Sequence, residues 1–140
     1  MRPRLNGTRE ASVKPAILLV DDDLFLLTLT AELLSGLGYP VKTACNGIEA
    51  LAVLDDGHAV DLLVTDVQMP GLHGLELARR AKVIRPTLAV LYCTGNPELI
   101  GDDMGPTLGP VLSKPLPVER LEREITRVHR AQAPSPGAVP

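Results

Sequence analysis

The chain has 140 residues, a net charge of −3 and 45% apolar residues, yet only 2% aromatics. This is the length of one domain able to bury a real, mostly aliphatic core. The scarcity of rings argues against a stacking platform for single-stranded nucleic acid, and the absence of a basic block in the folded part against a phosphate-backbone binder. Met1 to Pro15 is polar and carries Arg2, Arg4, Arg9 and Lys14 without an apolar h-region, so it is no secretory signal. It reads as a flexible tail, residues 1–15, ahead of one domain at 16–131 and a Pro-rich tail at 132–140. No apolar segment approaches the roughly 18 residues of a membrane helix.

Ala16 to Val20 is a short continuous apolar run, the mark of a strand covered on both faces, and it ends in Asp21-Asp22-Asp23. From Leu24 to Ser35 the period becomes helical: Phe25, Leu29 and Leu33 share a face, with Leu26 and Leu37 beside it, and Thr28, Glu32 and Ser35 form a polar stripe. Gly36 and Gly38 stop this helix. Val41 to Ala44 is a brief strand, and Asn46-Gly47 is a turn that also suits the start of a helix over Ile48 to Asp55, with Ile48, Leu51 and Ala52 apolar. Gly57 closes it.

Leu62 to Thr65 is the central strand, ending at Asp66 before Met69-Pro70-Gly71 breaks the chain. Pro cannot donate to a ladder and Gly favours a turn, so Asp66 is expected at the carboxyl edge of a buried strand. Leu75, Ala78 and Ala81 to Ile84 mark another helix, ended before Pro86, and Leu88 to Cys93 is a fourth strand leading into Thr94-Gly95. Between Asn96 and Pro110 stand Gly101, Gly105, Gly109, Pro97, Pro106 and Pro110, too many breakers for a helix of normal length. A turn or two near Pro97 to Ile100 and then an irregular loop are expected. Val111 to Ser113 is a short fifth strand before Lys114-Pro115. The last helix starts near Pro117 and buries Val118, Leu121, Ile125 and Val128, with Glu119 and Arg123 paired outside.

Strands alternating with helices predict an α/β fold: a doubly wound, five-stranded parallel sheet. In the flavodoxin-like order 2-1-3-4-5, strands one and three adjoin at the switch point. Asp21, Asp22 and Asp66 then converge, with Thr94 and Lys114 arriving from neighbouring strand ends. Three close carboxylates repel unless protonated or joined by a cation, and Mg²⁺ suits such oxygen ligands. A carboxylate so placed can attack phosphorus and form an aspartyl phosphate, while Lys114 and Thr94 meet phosphoryl oxygens.

Ile17 to Asp23, Val64-Thr-Asp66-Val-Gln-Met-Pro-Gly71, Cys93-Thr94-Gly95 and Ser113-Lys114-Pro115, in that order, closely resemble the receiver domains of bacterial response regulators, from about Ala16 to Ala131. The resemblance implies that Asp66 accepts a phosphoryl group from a phosphohistidine on a sensor histidine kinase or histidine phosphotransfer protein. It implies that Asp21, Asp22, Asp66 and the backbone carbonyl of Gln68 hold Mg²⁺, that Thr94 and Lys114 contact the phosphoryl group, and that the bond before Pro115 is cis. It further implies a cytoplasmic, stand-alone switch, shuttle or sink that self-dephosphorylates slowly, is no enzyme toward an external substrate and acts on an unidentified downstream protein, not on nucleic acid or membrane. Two features depart from the family: Val111 stands where an aromatic usually does, and the fourth helix is broken by Gly and Pro. Two other functions compete: a receiver-like docking module that is never phosphorylated, and a phosphatase resembling the haloacid-dehalogenase family, with Asp21 as nucleophile and Gly101-Asp102-Asp103 as acidic motif. Lys114 follows that motif where the phosphatase needs it in front.

The remaining polar residues read as structural. Asp23 suits a surface charge or helix N-cap, His73 a solvated loop residue, and Arg79 and Arg80 the wet face of their helix. Met69, Pro70 and Gly71 shape their loop, and His58 and His129 lack metal-ligand spacing. Cys45 and Cys93 read as reduced packing residues of a cytosolic protein.

Overall fold

The computed structural model describes residues 14–132, so the two tails fall almost wholly outside the described residues. Its elements are β1 (Ile17–Val20), α1 (Leu24–Gly36), β2 (Val41–Ala44), α2 (Gly47–Asp55), β3 (Leu62–Asp66), α3 (Gly74–Ile84), β4 (Ala89–Thr94), β5 (Val111–Ser113) and α4 (Val118–Gln132). Two single 3₁₀ turns, Pro97–Leu99 and Asp102–Met104, stand between β4 and β5. The strands form one parallel sheet in the order β2-β1-β3-β4-β5. This is the doubly wound arrangement expected from the apolar runs.

Pleating divides the central strands between two cores. Leu18, Leu63, Val90 and Tyr92 face Ala50 and Leu54 of α2 and Leu75, Ala78 and Ala81 of α3. Ile17, Leu19, Leu62, Val64 and Leu91 face Leu27 and Leu34 of α1 and Leu121 and Ile125 of α4. Because side chains alternate along a strand, each continuous apolar run feeds both layers at once. Asp23 caps α1 by accepting from the Leu26 amide, and Asn46 caps α2 by accepting from Glu49. Glu49 in turn accepts from the amide of Cys45, the residue before the cap, and so ties the incoming chain to the first turn.

α1 overturns one expectation. Phe25, Leu29 and Leu33 are 74%, 42% and 44% exposed, with Leu26 and Leu37 near 40%, while Leu27 and Leu34 carry the burial. The helix offers two stripes of helical spacing, and the one used has Ala31 between Leu27 and Leu34. A small residue at that point lets the helix axis approach the sheet. α2 behaves similarly: Ala50 and Leu54 are buried, whereas Ile48 is 66% exposed.

The stretch where a fourth crossover helix would lie is anchored in another way. The Tyr92 hydroxyl accepts from the Leu108 amide at 3.2 Å, and Arg79 reaches from α3 to donate to the Met104 carbonyl. A Cβ at Gly109 would stand 1.8 Å from the Val90 carbonyl oxygen, so only glycine lets the loop lie against β4. Arg79 is thus no wet-face residue; Arg80 is exposed as expected. The ion pair within α4 is Glu124–Arg127 at 2.7 Å, not Glu119–Arg123, among the described residues. Lys14, from the segment read as a tail, pairs with Glu122 at 3.3 Å and lies 4.6 Å from the centroid of the Tyr39 ring.

Candidate functional site

The order of the strands reverses between β1 and β3, and the carboxyl ends of both carry acids there. Asp21 directly follows β1, its amide bonded to the Ala44 carbonyl, and its Oδ1 accepts from the Asp23 amide at 2.9 Å. Asp66 is the last residue of β3, and its Oδ1 accepts from the Val67 amide at 2.8 Å. Carboxylate oxygens of Asp21, Asp22 and Asp66 all lie within 4.8 Å of one another. Lys114, just beyond β5, donates to Asp21 Oδ2 at 3.0 Å and to Asp66 Oδ2 at 3.2 Å. Its amide bonds to the Thr94 carbonyl, which fixes β5 beside β4, and the peptide bond to Pro115 is cis.

Thr94, the last residue of β4, is wholly buried; its hydroxyl donates to Gln68 Oε1 and accepts from the Asn96 amide at 3.0 Å. So five of the residues expected in the site, Asp21, Asp22, Asp66, Thr94 and Lys114, stand at one edge of the sheet. The sixth, Gln68, joins them through its side chain as well as its place in the loop.

Sequence reasoning missed Gly74. A Cβ there would lie 2.0 Å from the Asp66 carbonyl oxygen, so α3 can begin against the loop only because residue 74 has no side chain. The Gly74 amide bonds to the Val67 carbonyl. Gly71 within the loop and Gly74 at its end, in a segment that must fold back on its own strand, were the available signal. His73, expected to be solvated, instead caps α3 by accepting from the Glu76 amide through Nδ1.

The electrostatics follow from burial. Removal from water pushes the Asp66 carboxyl above its ordinary range, and the attraction of Lys114 offsets this only in part. Burial opposes the charge on Lys114, but the hydrogen bond and charge of Asp21, with the charge of Asp66, outweigh it and hold the amine above its usual value. Asp21 is buried, Asp66 half-buried and Asp22 exposed, and the one ammonium lies between Asp21 and Asp66, which leaves negative charge in excess. Hard oxygen donors at this spacing could hold a metal ion. Cys93 pairs in register with Asp66, and burial pushes its thiol up to about 12, so it packs as a protonated thiol. Asp102 and Asp103 lie on a 3₁₀ turn outside the cluster, which removes the acidic motif needed by a phosphatase of the haloacid-dehalogenase kind.

Beside the acids, a cavity of about 460 Å³ runs between α1 and the start of α4, walled by Leu26, Leu29, Leu33, Leu116 and Leu121. It opens on Asp21, Asp66 and Lys114. No helix among the described residues is long and apolar enough to cross a membrane.

The chain is similar to known proteins in sequence and in fold. The chain is 37% identical over 114 residues to the response regulator receiver protein CpdR of Brucella abortus, covering 80% of this chain and 94% of that one. It is 32% identical over 137 residues to the sensor histidine kinase RcsC of Salmonella typhi, covering 94% of this chain but 14% of the kinase. A response regulator receiver protein from Sinorhizobium medicae superposes with a TM-score of 0.77 at 28% identity, covering 86% of this chain and 98% of that structure. The family model described as response regulator receiver domain matches residues 17–126, and with the acids, lysine and threonine converging as they do, the chain belongs to the response regulator receiver family of two-component signalling.

Proposed function

We propose that Asp66 is the phosphoacceptor of a two-component phosphorelay. A carboxylate oxygen of Asp66 attacks the phosphorus of a phosphohistidine, the P–N bond breaks, and the imidazole leaves with its electron pair and takes up a proton. An aspartyl phosphate remains. The observation that carries this reading is the convergence of Asp66 with Asp21 and Asp22 within 4.8 Å and with the Lys114 ammonium at 3.2 Å. Mg²⁺, held by Asp21, Asp22, Asp66 and the Gln68 backbone carbonyl, would supply charge neutralisation for the incoming phosphoryl group. Asp66 is the nucleophile because it ends the central strand β3, with Asp21 and Asp22 beside it at the end of β1 and Thr94 and Lys114 at the ends of β4 and β5. Lys114 and Thr94 then neutralise and orient the phosphoryl oxygens, and slow hydrolysis of the acyl phosphate resets the protein.

The donor is a sensor histidine kinase or a histidine phosphotransfer protein in the cytoplasm. The exposed apolar face of α1, formed by Phe25, Leu29 and Leu33 beside the opening to Asp66, is a surface on which a partner helix can lay an apolar stripe. Val111 cannot act as an aromatic switch, so output to a downstream protein uses other residues, or the domain serves as a shuttle or sink for phosphoryl groups. The same Val111, and the pair of 3₁₀ turns in place of a helix, favour one second reading, a docking module that is never phosphorylated. Phosphoramidate, whose P–N bond mimics phosphohistidine, separates the two. With Mg²⁺ the intact mass of the wild type rises by one phosphoryl group, and chelation or Asp66→Asn abolishes the gain; no gain in the wild type leaves the docking module.

A further inference from the structure

Thr94 has a single hydroxyl proton, and in this state the proton is already spent on Gln68 Oε1. The oxygen also accepts from the Asn96 amide at 3.0 Å, and the residue is wholly buried, so water is no alternative partner. Phosphoryl oxygens only accept hydrogen bonds. Thr94 therefore cannot engage a phosphoryl group and keep Gln68; one acceptor must replace the other. Gln68 is half-buried, so its amide can turn to solvent once released.

We infer that the Gln68 side chain is a latch on Thr94: it holds the hydroxyl in the resting position and sets how readily the site accepts a phosphoryl group. Gln68 is here a positioning residue, acting through Thr94 rather than on phosphorus. Lys114 behaves in parallel, since its ammonium bridges Asp21 and Asp66 until another charge arrives. Both groups that would meet phosphoryl oxygens are thus occupied beforehand, one by charge and one by a neutral side chain. The neutral bond is the one a substitution can remove without altering the charge of the site. Its loss corresponds to roughly two- to tenfold in an equilibrium constant, the range of a net neutral hydrogen bond.

The inference rests on the phosphoacceptor reading, and beryllofluoride, which mimics a phosphoryl group on a carboxylate, tests both separately. Binding of beryllofluoride with Mg²⁺ is titrated by NMR or calorimetry in the wild type, Gln68→Leu, Thr94→Ala and the double variant. The expected result is two- to tenfold tighter binding in Gln68→Leu than in the wild type, with no further change when Gln68→Leu is added to Thr94→Ala. Gln68→Met, unbranched and of similar length, should repeat the gain. If the wild type binds but Gln68→Leu and Gln68→Met bind equally or more weakly, the latch is wrong and the phosphoacceptor stands. An equal gain in the Thr94→Ala background also overturns the latch, because the effect then bypasses Thr94. No binding by the wild type overturns both.

Discussion

Replacing Lys114 with Met keeps the aliphatic stem and deletes the ammonium that joins Asp21 and Asp66. Lys114 is 26% exposed in its side chain and each aspartate 12%, so these pairs lie between a surface ion pair and a buried one. Surface pairs contribute about 0–1 kcal/mol, and breaking a buried pair costs about 3–5 kcal/mol. A loss of about 2–3 kcal/mol is expected at neutral pH, or about 6–15 °C in Tm for a domain of this size. The loss should depend on the charge of the carboxylates. Asp66 already has a raised pKa, so the folded protein holds that proton more tightly than the unfolded chain. Its contribution is present below the ordinary carboxylate pKa and is lost as pH rises through the raised value. Lys114→Met raises it further, so acidification should recover much of the deficit. Mg²⁺ at a hundredfold over its dissociation constant stabilises a protein by about 2.7 kcal/mol, and at one fixed concentration it should stabilise Lys114→Met more than the wild type, because the carboxylates have lost their ammonium. Thermal unfolding of both proteins, across pH and with or without Mg²⁺, measures each of these. A deficit that neither acid nor Mg²⁺ reduces would refute the reasoning and assign Lys114 a packing role.

Other expectations test the helices and the second core. Leu34→Ala, at a fully buried position, should cost about 3–4 kcal/mol in urea unfolding, whereas Leu33→Ala should cost under about 1 kcal/mol; equal losses would mean α1 is turned the other way. Phe25→Ser with Leu29→Ser should slow phosphotransfer from a histidine-phosphorylated donor protein yet leave phosphorylation by phosphoramidate unchanged, since only the protein donor needs the apolar face. Cys93 should resist iodoacetamide near pH 8 in the folded protein and react once unfolded, read by peptide mapping; rapid labelling in the folded state would contradict its burial and its raised pKa.

The strands and the acids were legible because their signals are local. A five-residue apolar run such as Ala16 to Val20 has few fates other than a covered strand, and Asp21 and Asp66 mark where each run stops. Chain order then placed Thr94 and Lys114 beside them, since parallel strands bring all their carboxyl ends to one edge. The phase of α1 was not legible, because leucine occupies six of its thirteen positions and two stripes satisfy the same spacing. Choosing between them needs the sheet, against which Ala31 allows close approach. Arg79 and His73 were misjudged for a related reason: their partners, the Met104 carbonyl and the Glu76 amide, are backbone groups whose need for a bond is not written in residue identity. Gln68 was placed at the site for its carbonyl, while its side chain on Thr94 emerges only when the β3 and β4 loops are brought face to face.

The claim on which all of this depends is that Asp66 carries the phosphoryl group. After phosphorylation by acetyl phosphate with Mg²⁺, borohydride reduces an aspartyl phosphate to homoserine and so marks the modified residue in the sequence. Peptide mapping should find homoserine at position 66 and at no other aspartate. Conversion at Asp21 or Asp22, or persistence of the modification in Asp66→Asn, would contradict the account.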